Sequence, residues 1–331
     1  MKQILEKIIQ GHKLSFEEAK TAMLHIGKGE VNQSQIASFL TVFMMRGVEA
    51  QELYGFRTAL LDLCIPVDFS DFDTMDMCGT GGDGKNTFNV STISSLVVAA
   101  SGVKVSKHGN YGVSSAVGSS NVIESLGYTF SNNNNQLKKE VDQVGITFLH
   151  APLFHPAMKH VGAVRKDLGM KTFFNLLGPL VNPSKPKKQL TGVYAKSILP
   201  LYKYVLEQST ENFAITFSID VYDEISLTGD FLVVQKSGEK VYSPEELGLT
   251  KTKQSEIDGG ETVEQASAIL HAIIKGKGTQ VQNEVIAANA GLAISIAKDV
   301  SFIDGIAEAK EIIQSGKAAL VLKKLLEINK A

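Results

Sequence analysis

The sequence predicts an α/β protein in which a small all-helical domain is joined to a larger α/β domain with a mostly parallel central sheet. Three observations predict it. The first 65 residues carry apolar side chains at helical spacing and few β-branched runs. From Thr74 onward short strand-like runs alternate with helical ones, the pattern of parallel strands linked by crossover helices. The chain has 331 residues, 44% apolar and 21% charged, which is enough for a large core in one or two domains.

Met1 to Lys7 reads as an amphipathic helix of mixed charge. It lacks the apolar centre of a secretory leader. Ser15 with Glu18 forms a capping-box pattern that opens a helix from Phe16 to Ile26, and Gly27 and Gly29 stop it. Asn32 or Ser34 starts the next helix, with Ile36, Phe39, Leu40 and Phe43 on one face and Gly47 at its end. A further helix runs from about Glu49 to Cys64, where Pro66 ends it.

Thr74 to Cys78 is a strand and leads directly into glycines. Asn89 to Ser101 is a helix with its start, Val103 to Ser106 a strand, Gly118 to Leu126 a helix, and Ile146 to Leu149 a strand. The polar run Ser131 to Gln136 reads as a solvated turn or a lead-in to a helix. Pro156 to Gly169 is helical and basic, and Thr172 to Pro183 is an irregular packed connection. Phe213 to Ile219 is a strand, and Phe231–Gln235 with Lys240–Tyr242 make a hairpin around Ser237-Gly238. From about Thr262 the chain is helical, broken at Gly276, Gly278 and Gly316.

Composition excludes several classes. A net charge of −2 gives no reason to expect a nucleic-acid partner. No run of about 18 apolar residues suggests a membrane span. Cys64 and Cys78 form no Cys-x-x-Cys pair, so neither a disulfide framework nor a zinc site is expected, and a reducing cytoplasm is the default.

The strongest local signal is the loop from Cys78 to Thr92, with Gly79, Gly81, Gly82 and Gly84 close together after a strand. Such a loop lets backbone N–H groups approach an anion without obstruction by Cβ. Asn89, Ser91 and Thr92 then sit at a helix start, which carries free N–H groups and partial positive charge. Phosphate or diphosphate is the natural guest. The spacing is neither that of a dinucleotide-binding turn nor that of a P-loop. A second loop, Lys107-His108-Gly109-Asn110, is read as following the next strand, with Ser114, Ser115 and Ser119 shortly after. It adds a cation and hydroxyl donors to the same end of the sheet. Asp223-Glu224 follows another strand and suits magnesium, a hard cation that bridges carboxylates and phosphate oxygens. Arg165, on the basic helix, offers a planar fork to a carboxylate.

Taken in order, Gly79–Asp83, Thr87–Thr92, Lys107–Asn110, Phe174–Leu180 with Asn182-Pro183, and Asp223–Ser226 resemble the anthranilate phosphoribosyltransferase family across nearly the whole chain. The resemblance implies a nucleoside phosphorylase/phosphoribosyltransferase-like fold. Residues 1–66 would form the helical domain, completed by about 160–185, and 72–331 the α/β domain without that insert. It implies transfer of the phosphoribosyl group of phosphoribosyl pyrophosphate to anthranilate in tryptophan biosynthesis, with magnesium, expected as two ions, and a homodimer. By position, the donor would be held by Gly79, Gly82, Asp83, Thr87, Asn89, Val90, Ser91, Thr92, Lys107, His108, Gly109, Asn110, Ser114, Ser115 and Ser119. Gly79, Asn110 and Arg165 would meet anthranilate, and Ser91, Asp223 and Glu224 would hold the metal. No general acid, base or nucleophile is expected. The family typically reads Lys-His-Gly-Asn-Arg-Ala-Val-Ser-Ser-Lys-Ser-Gly-Ser-Ala-Asp. In this chain Tyr111 and Ala116 replace its two later cations, and Gly112, Val117, Ser120 and Asn121 also differ. Ala163 stands for a usual proline and Lys171 for a common arginine. A pyrimidine nucleoside phosphorylase would share the fold, but Lys107–Asn110 and the acidic pair favour the phosphoribosyltransferase.

Overall fold

The computed structural model describes residues 1–112 and 117–330. Four helices open the chain: α1 (Lys2–Ile9), α2 (Phe16–Gly27), α3 (Gln33–Arg46) and α4 (Ala50–Leu63). Their starts follow side-chain chemistry. Ser15 Oγ accepts from the Glu18 N–H at 3.3 Å, and the Glu18 carboxylate accepts from the Ser15 N–H at 2.8 Å. Asn32, not Ser34, caps α3, its Oδ1 accepting from the Gln35 N–H at 2.9 Å.

The chain then runs β1 (Thr74–Met77), α5 (Val90–Ala100), β2 (Lys104–Gly109), α6 (Ser119–Ser125), α7 (Asn134–Gln143), β3 (Ile146–His150), α8 (Ala151–Phe154), α9 (Lys159–Leu168) and α10 (Phe174–Leu177). β4 (Lys188–Gly192), α11 (Leu199–Glu207), β5 (Asn212–Ser218), β6 (Phe231–Gln235) and β7 (Gly238–Tyr242) follow, then α12 (Val263–Ile274), α13 (Gln280–Lys298), α14 (Phe302–Ser315) and α15 (Lys317–Asn329). The sheet order is β3-β2-β1-β4-β5-β6-β7. β3 to β5 pair in parallel, and β6 and β7 add an antiparallel edge. The mostly parallel sheet is therefore as expected.

The chain fills the sheet in one direction from β1 to β3 and then returns to the other side of β1 with β4. That reversal opens a crevice at the carboxyl ends of β1 and β4, where ligands of open α/β sheets bind. Both faces of the sheet are covered. Ala214 of β5 joins a buried cluster with Ile93 and Val97 of α5 and Ile286 and Ile294 of α13. Its neighbours Phe213 and Ile215 point the other way, into a cluster with Tyr202 and Val205 of α11.

The connection after α9 packs on the helical unit. Phe173 lies among Phe39, Phe43 and Phe56, with ring centroids 4.6 to 6.1 Å from it, and α9 packs against α2 and α3. Aromatic pairs at such distances add stabilisation beyond their buried area. No single helix among the described residues is long and apolar enough to cross a membrane.

One expectation needs correction. β2 runs on to Gly109, so Lys107, His108 and Gly109 are strand residues and do not follow the strand. The cause is pairing: β3 matches β2 residue for residue as far as Gly109 with His150. β4 and α11 were not anticipated. β4 is five residues long with no turn signal after it, and α11 begins with Pro200 in its first turn.

Candidate active site

A cavity of about 880 Å³ opens between the helical unit and the carboxyl ends of the parallel strands. Leu60, Arg165 and Phe174 line it from one side, and the glycine loop, Lys107 and the acidic pair line it from the other.

The glycine loop leaves β1 and turns back at Gly81 and Gly82, with φ of 61° and 78°. Side chains rarely adopt that region, which is why glycine is needed at both positions. The Gly81 N–H donates to Asp223 Oδ2 at 2.5 Å, and the Ser91 N–H, in the first turn of α5, donates to Glu224 Oε1 at 3.0 Å. The two carboxylates therefore occupy amide groups that the sequence assigns to an anion. Gly79 sits against this pair, since a Cβ there would lie 2.5 Å from Asp223 Oδ2.

The acids are electrostatically stressed. Burial raises the Asp223 pKa, and the nearby charge of Asp83 raises it further. Burial, then the charge of Asp223, raises Glu224, and burial also raises Asp83. In the unfolded chain such groups titrate at about 4. Groups raised on folding stabilise the fold most at pH below the unfolded value, and that contribution is lost as pH rises through the raised values. Metal-free protein is therefore expected to melt progressively lower from about pH 5 to about pH 8. An Asp223→Asn, Glu224→Gln variant should show a shallower fall. Melting curves recorded in chelator check this, and parallel slopes would contradict it.

Lys107 is 2% exposed. Its Nζ donates to the Met77 carbonyl and lies 3.4 Å from Ser91 Oγ. Beneath it, the carboxyl of Asp76 is raised to about 6 by burial, an effect the Lys107 charge opposes. Asp76 Oδ1 accepts from the His108 N–H at 3.0 Å, which ties β1 to β2. Burial lowers His108 to about 3, so its ring is neutral. Its Nδ1 lies 3.1 Å from the Gly178 carbonyl, which can only accept, so Nδ1 carries the proton and Nε2 a lone pair. That Nε2 is buried without a partner.

The remaining expected residues divide plainly. Gly79, Gly82, Asp83, Thr87, Asn89, Ser91, Thr92, Lys107, His108, Gly109, Asn110, Ser119, Arg165, Asp223 and Glu224 all line the cavity. Thr92 is buried with its hydroxyl unpartnered. Asn89 is anchored by its Nδ2, which donates to the Val117 carbonyl at 3.2 Å. Val90 departs from expectation: its side chain is in the hydrophobic core and its N–H donates to the Phe88 carbonyl at 2.6 Å. The first position of α5 turns an apolar residue inward, so Val90 offers the cleft nothing. Ser114 and Ser115 lie outside the described residues. Arg165 has no carboxylate partner among the described residues, and its guanidinium lies 5.2 Å from the Phe174 ring centroid.

The structure adds residues that the sequence did not single out for the site. His155 lies in the cleft with its ring 5.4 Å from that of His108, its pKa lowered to about 4 by burial and its Nε2 unpartnered. Lys171 donates to the Gly82 carbonyl at 2.6 Å and lies over the Tyr194 ring. The step from β3 into α8 and the connection after α9 place these two; no local pattern announces His155, and the one sequence signal for Lys171 is that it stands where the family commonly has arginine.

Among the described residues no group of three or more His, Cys, Asp or Glu is arranged to hold a metal. Two buried carboxylates beside a hydroxyl would nevertheless suit a hard cation that draws its other ligands from water and a bound anion.

These features define a glycosyl transferase built from a helical bundle and an α/β domain. Residues 2–64 match the helical bundle domain of the glycosyl transferase family, and residues 71–319 match its a/b domain. Anthranilate phosphoribosyltransferases from Christiangramia forsetii and Flavobacterium johnsoniae are each 52% identical over 329 residues, covering 99% of this chain and 99% and 100% of theirs. Among solved structures, the anthranilate phosphoribosyltransferase of Thermus thermophilus superposes with a TM-score of 0.94 at 33% identity, covering 99% of both chains. The Saccharomyces cerevisiae enzyme, in complex with PRPP and Mg, gives 0.91 at 27% identity, covering 99% of this chain and 97% of its own. The chain belongs to the anthranilate phosphoribosyltransferase family.

Proposed function

We propose that this chain transfers the phosphoribosyl group of phosphoribosyl pyrophosphate to the amine of anthranilate and releases pyrophosphate, a step of tryptophan biosynthesis. The observation that carries the reading is the contact of Asp223 with the Gly81 amide and of Glu224 with the Ser91 amide. It places paired carboxylates and an anion-binding turn within hydrogen-bond reach of each other.

In this reading the diphosphate of the donor lies along Gly79–Asp83 and the first turn of α5, above Lys107. The Gly81 and Ser91 amides exchange Asp223 and Glu224 for phosphate oxygens, and the freed carboxylates face the cleft. Buried acids that repel one another accept a hard cation readily, so Asp223, Glu224 and Ser91 fit magnesium, which we assign as two ions. When bound, magnesium supplies positive charge for the departing diphosphate. The S. cerevisiae relative solved with PRPP and Mg supports the use of magnesium.

Arg165 reaches into the cleft from α9 without a carboxylate partner among the described residues, and we assign it to the carboxylate of anthranilate. The S. cerevisiae enzyme solved in complex with 4-fluoroanthranilate supports an aromatic guest of this kind. An aromatic amine is uncharged at neutral pH, so attack on the ribose carbon needs no strong base. The neutral His108 ring and the Phe174 face line the same cleft. Catalysis then rests on positioning and on electrostatic stabilisation of the leaving group. We place the protein in the cytoplasm as a homodimer through its helical domain, where Ile9 and Met45 are 65% and 84% exposed.

The direct test follows the loss of anthranilate fluorescence with donor and magnesium. Arg165→Ala is expected to raise the KM for anthranilate roughly tenfold or more, the scale of a lost hydrogen bond to a charged group, with a smaller change for the donor. Equal changes for both substrates would contradict the assignment.

A further inference from the structure

The loop that carries the acidic pair is held from outside by one side chain of α13. Asn289 is 4% exposed and sits in an otherwise apolar stretch of that helix, between Ala288 and Ala290. Its Oδ1 accepts from the Ile225 N–H at 3.1 Å, and its Nδ2 donates to the Ile225 carbonyl at 2.8 Å. The second amide hydrogen goes to the Val285 carbonyl at 2.9 Å. A carbonyl can only accept, so this last bond fixes which way the amide faces. Asparagine is a poor helix former, and a buried amide is costly unless bonded. The paired bonds to Ile225 give a physical reason for this residue at this position.

The loop needs such a hold. Val221 and Leu227 both adopt left-handed backbone, with φ of 72° and 60°, and they flank Asp223-Glu224 on either side. Left-handed conformations at side-chain-bearing residues persist only where the surroundings enforce them. Within the loop, Ser218 Oγ donates to the Glu224 carbonyl at 2.7 Å. From α13, Asn289 grips the next residue at both of its backbone polar groups.

We propose that Asn289 is a positioning residue for the reaction. It touches neither substrate nor metal, and it acts through Ile225 to hold the Asp223-Glu224 backbone so that both carboxylates face the cleft. The inference rests on the reading of that pair as the metal-binding acids.

The test measures binding of Mn²⁺ with inorganic pyrophosphate by electron paramagnetic resonance, alongside turnover as a function of magnesium. Asn289→Ala is expected to weaken Mn²⁺ binding about 10- to 100-fold, the scale seen when a residue supporting a metal ligand is removed. It should raise the magnesium needed for half-maximal rate in parallel and leave the KM for anthranilate near that of the parent. Ile294→Ala, a truncation at a buried site on the same helix, serves as the control for lost stability and should leave Mn²⁺ binding unchanged. If the alanine variant does not fold, Asn289→Ser reads the same quantity, because its hydroxyl can return to Val285 but cannot span to Ile225. Unaltered Mn²⁺ binding in the Asn289 variant, or equal weakening in Ile294→Ala, would overturn the positioning role. Unaltered binding in Asp223→Asn, Glu224→Gln would overturn the metal reading itself, and the positioning role with it.

Discussion

The Asp223→Asn, Glu224→Gln double variant is expected to lose turnover by about 100-fold or more, because preorganised electrostatic contacts to a leaving group carry that scale of effect. The exchange is nearly isosteric. Each new amide can still accept from the Gly81 and Ser91 N–H groups, so the loop and the start of α5 stay in register. What disappears is negative charge at two buried positions. Without it Asp83 is the one acid left lining the cleft among the described residues, so a divalent cation is held weakly and the departing diphosphate loses most of the positive charge that would oppose its own. The loss should be greatest at limiting magnesium and only partly recovered by excess. The same variant removes the mutual repulsion of the acids, so it should be at least as stable as the parent at neutral pH. Lower activity with equal or higher melting temperature separates a lost function from a lost fold. Near-normal turnover at limiting magnesium would contradict the metal assignment.

Lys107→Met should give the second largest effect. Lys107 is a buried cation at the floor of the cleft, with Nζ between the Met77 carbonyl and Ser91 Oγ. Methionine fills a similar volume without charge, so packing of β2 against β1 is kept. The KM for the donor is expected to rise about 10- to 100-fold, the range for a hydrogen bond to a charged group, with little change for anthranilate. Lys107→Arg should not restore the parent value, because a longer planar fork does not fit a slot shaped for a compact ammonium. The substitution also removes the charge that opposes the rise of the Asp76 carboxyl, so that acid should titrate still higher. Steady-state kinetics with each substrate varied in turn check the first point. Similar rises for both substrates would show that Lys107 supports the fold and not the donor.

Much of the site was legible because its chemistry is written in short runs. Gly79 to Thr92 combines four glycines with a helix start, and only a few structures need both. Asp223-Glu224 became informative once a phosphate-binding turn was inferred, because acids beside an anion require a cation. The helical domain was readable from Ser15 with Glu18 and from the spacing of Ile36, Phe39, Leu40 and Phe43. What escaped depends on contacts between distant segments. The end of β2 is set by pairing with β3, so the strand takes in Lys107 to Gly109, which look like loop residues in isolation. Val90 falls inside a run of site residues, yet the turn of α5 points it into the core. His155 and Asn289 carry no local signature, and Lys171 is marked only by standing where the family commonly has arginine. Each gains its role from what the fold brings against it, as Ile225 is brought to Asn289 across 64 residues.

The most direct measurement is a crystal structure of the protein with phosphoribosyl pyrophosphate and magnesium. The diphosphate should lie between the Gly79–Asp83 turn and the Asp223-Glu224 carboxylates, with those acids turned from the Gly81 and Ser91 amides toward the cation. Donor found elsewhere in the cleft, or acids still bonded to the two amides with no cation beside them, would contradict the account.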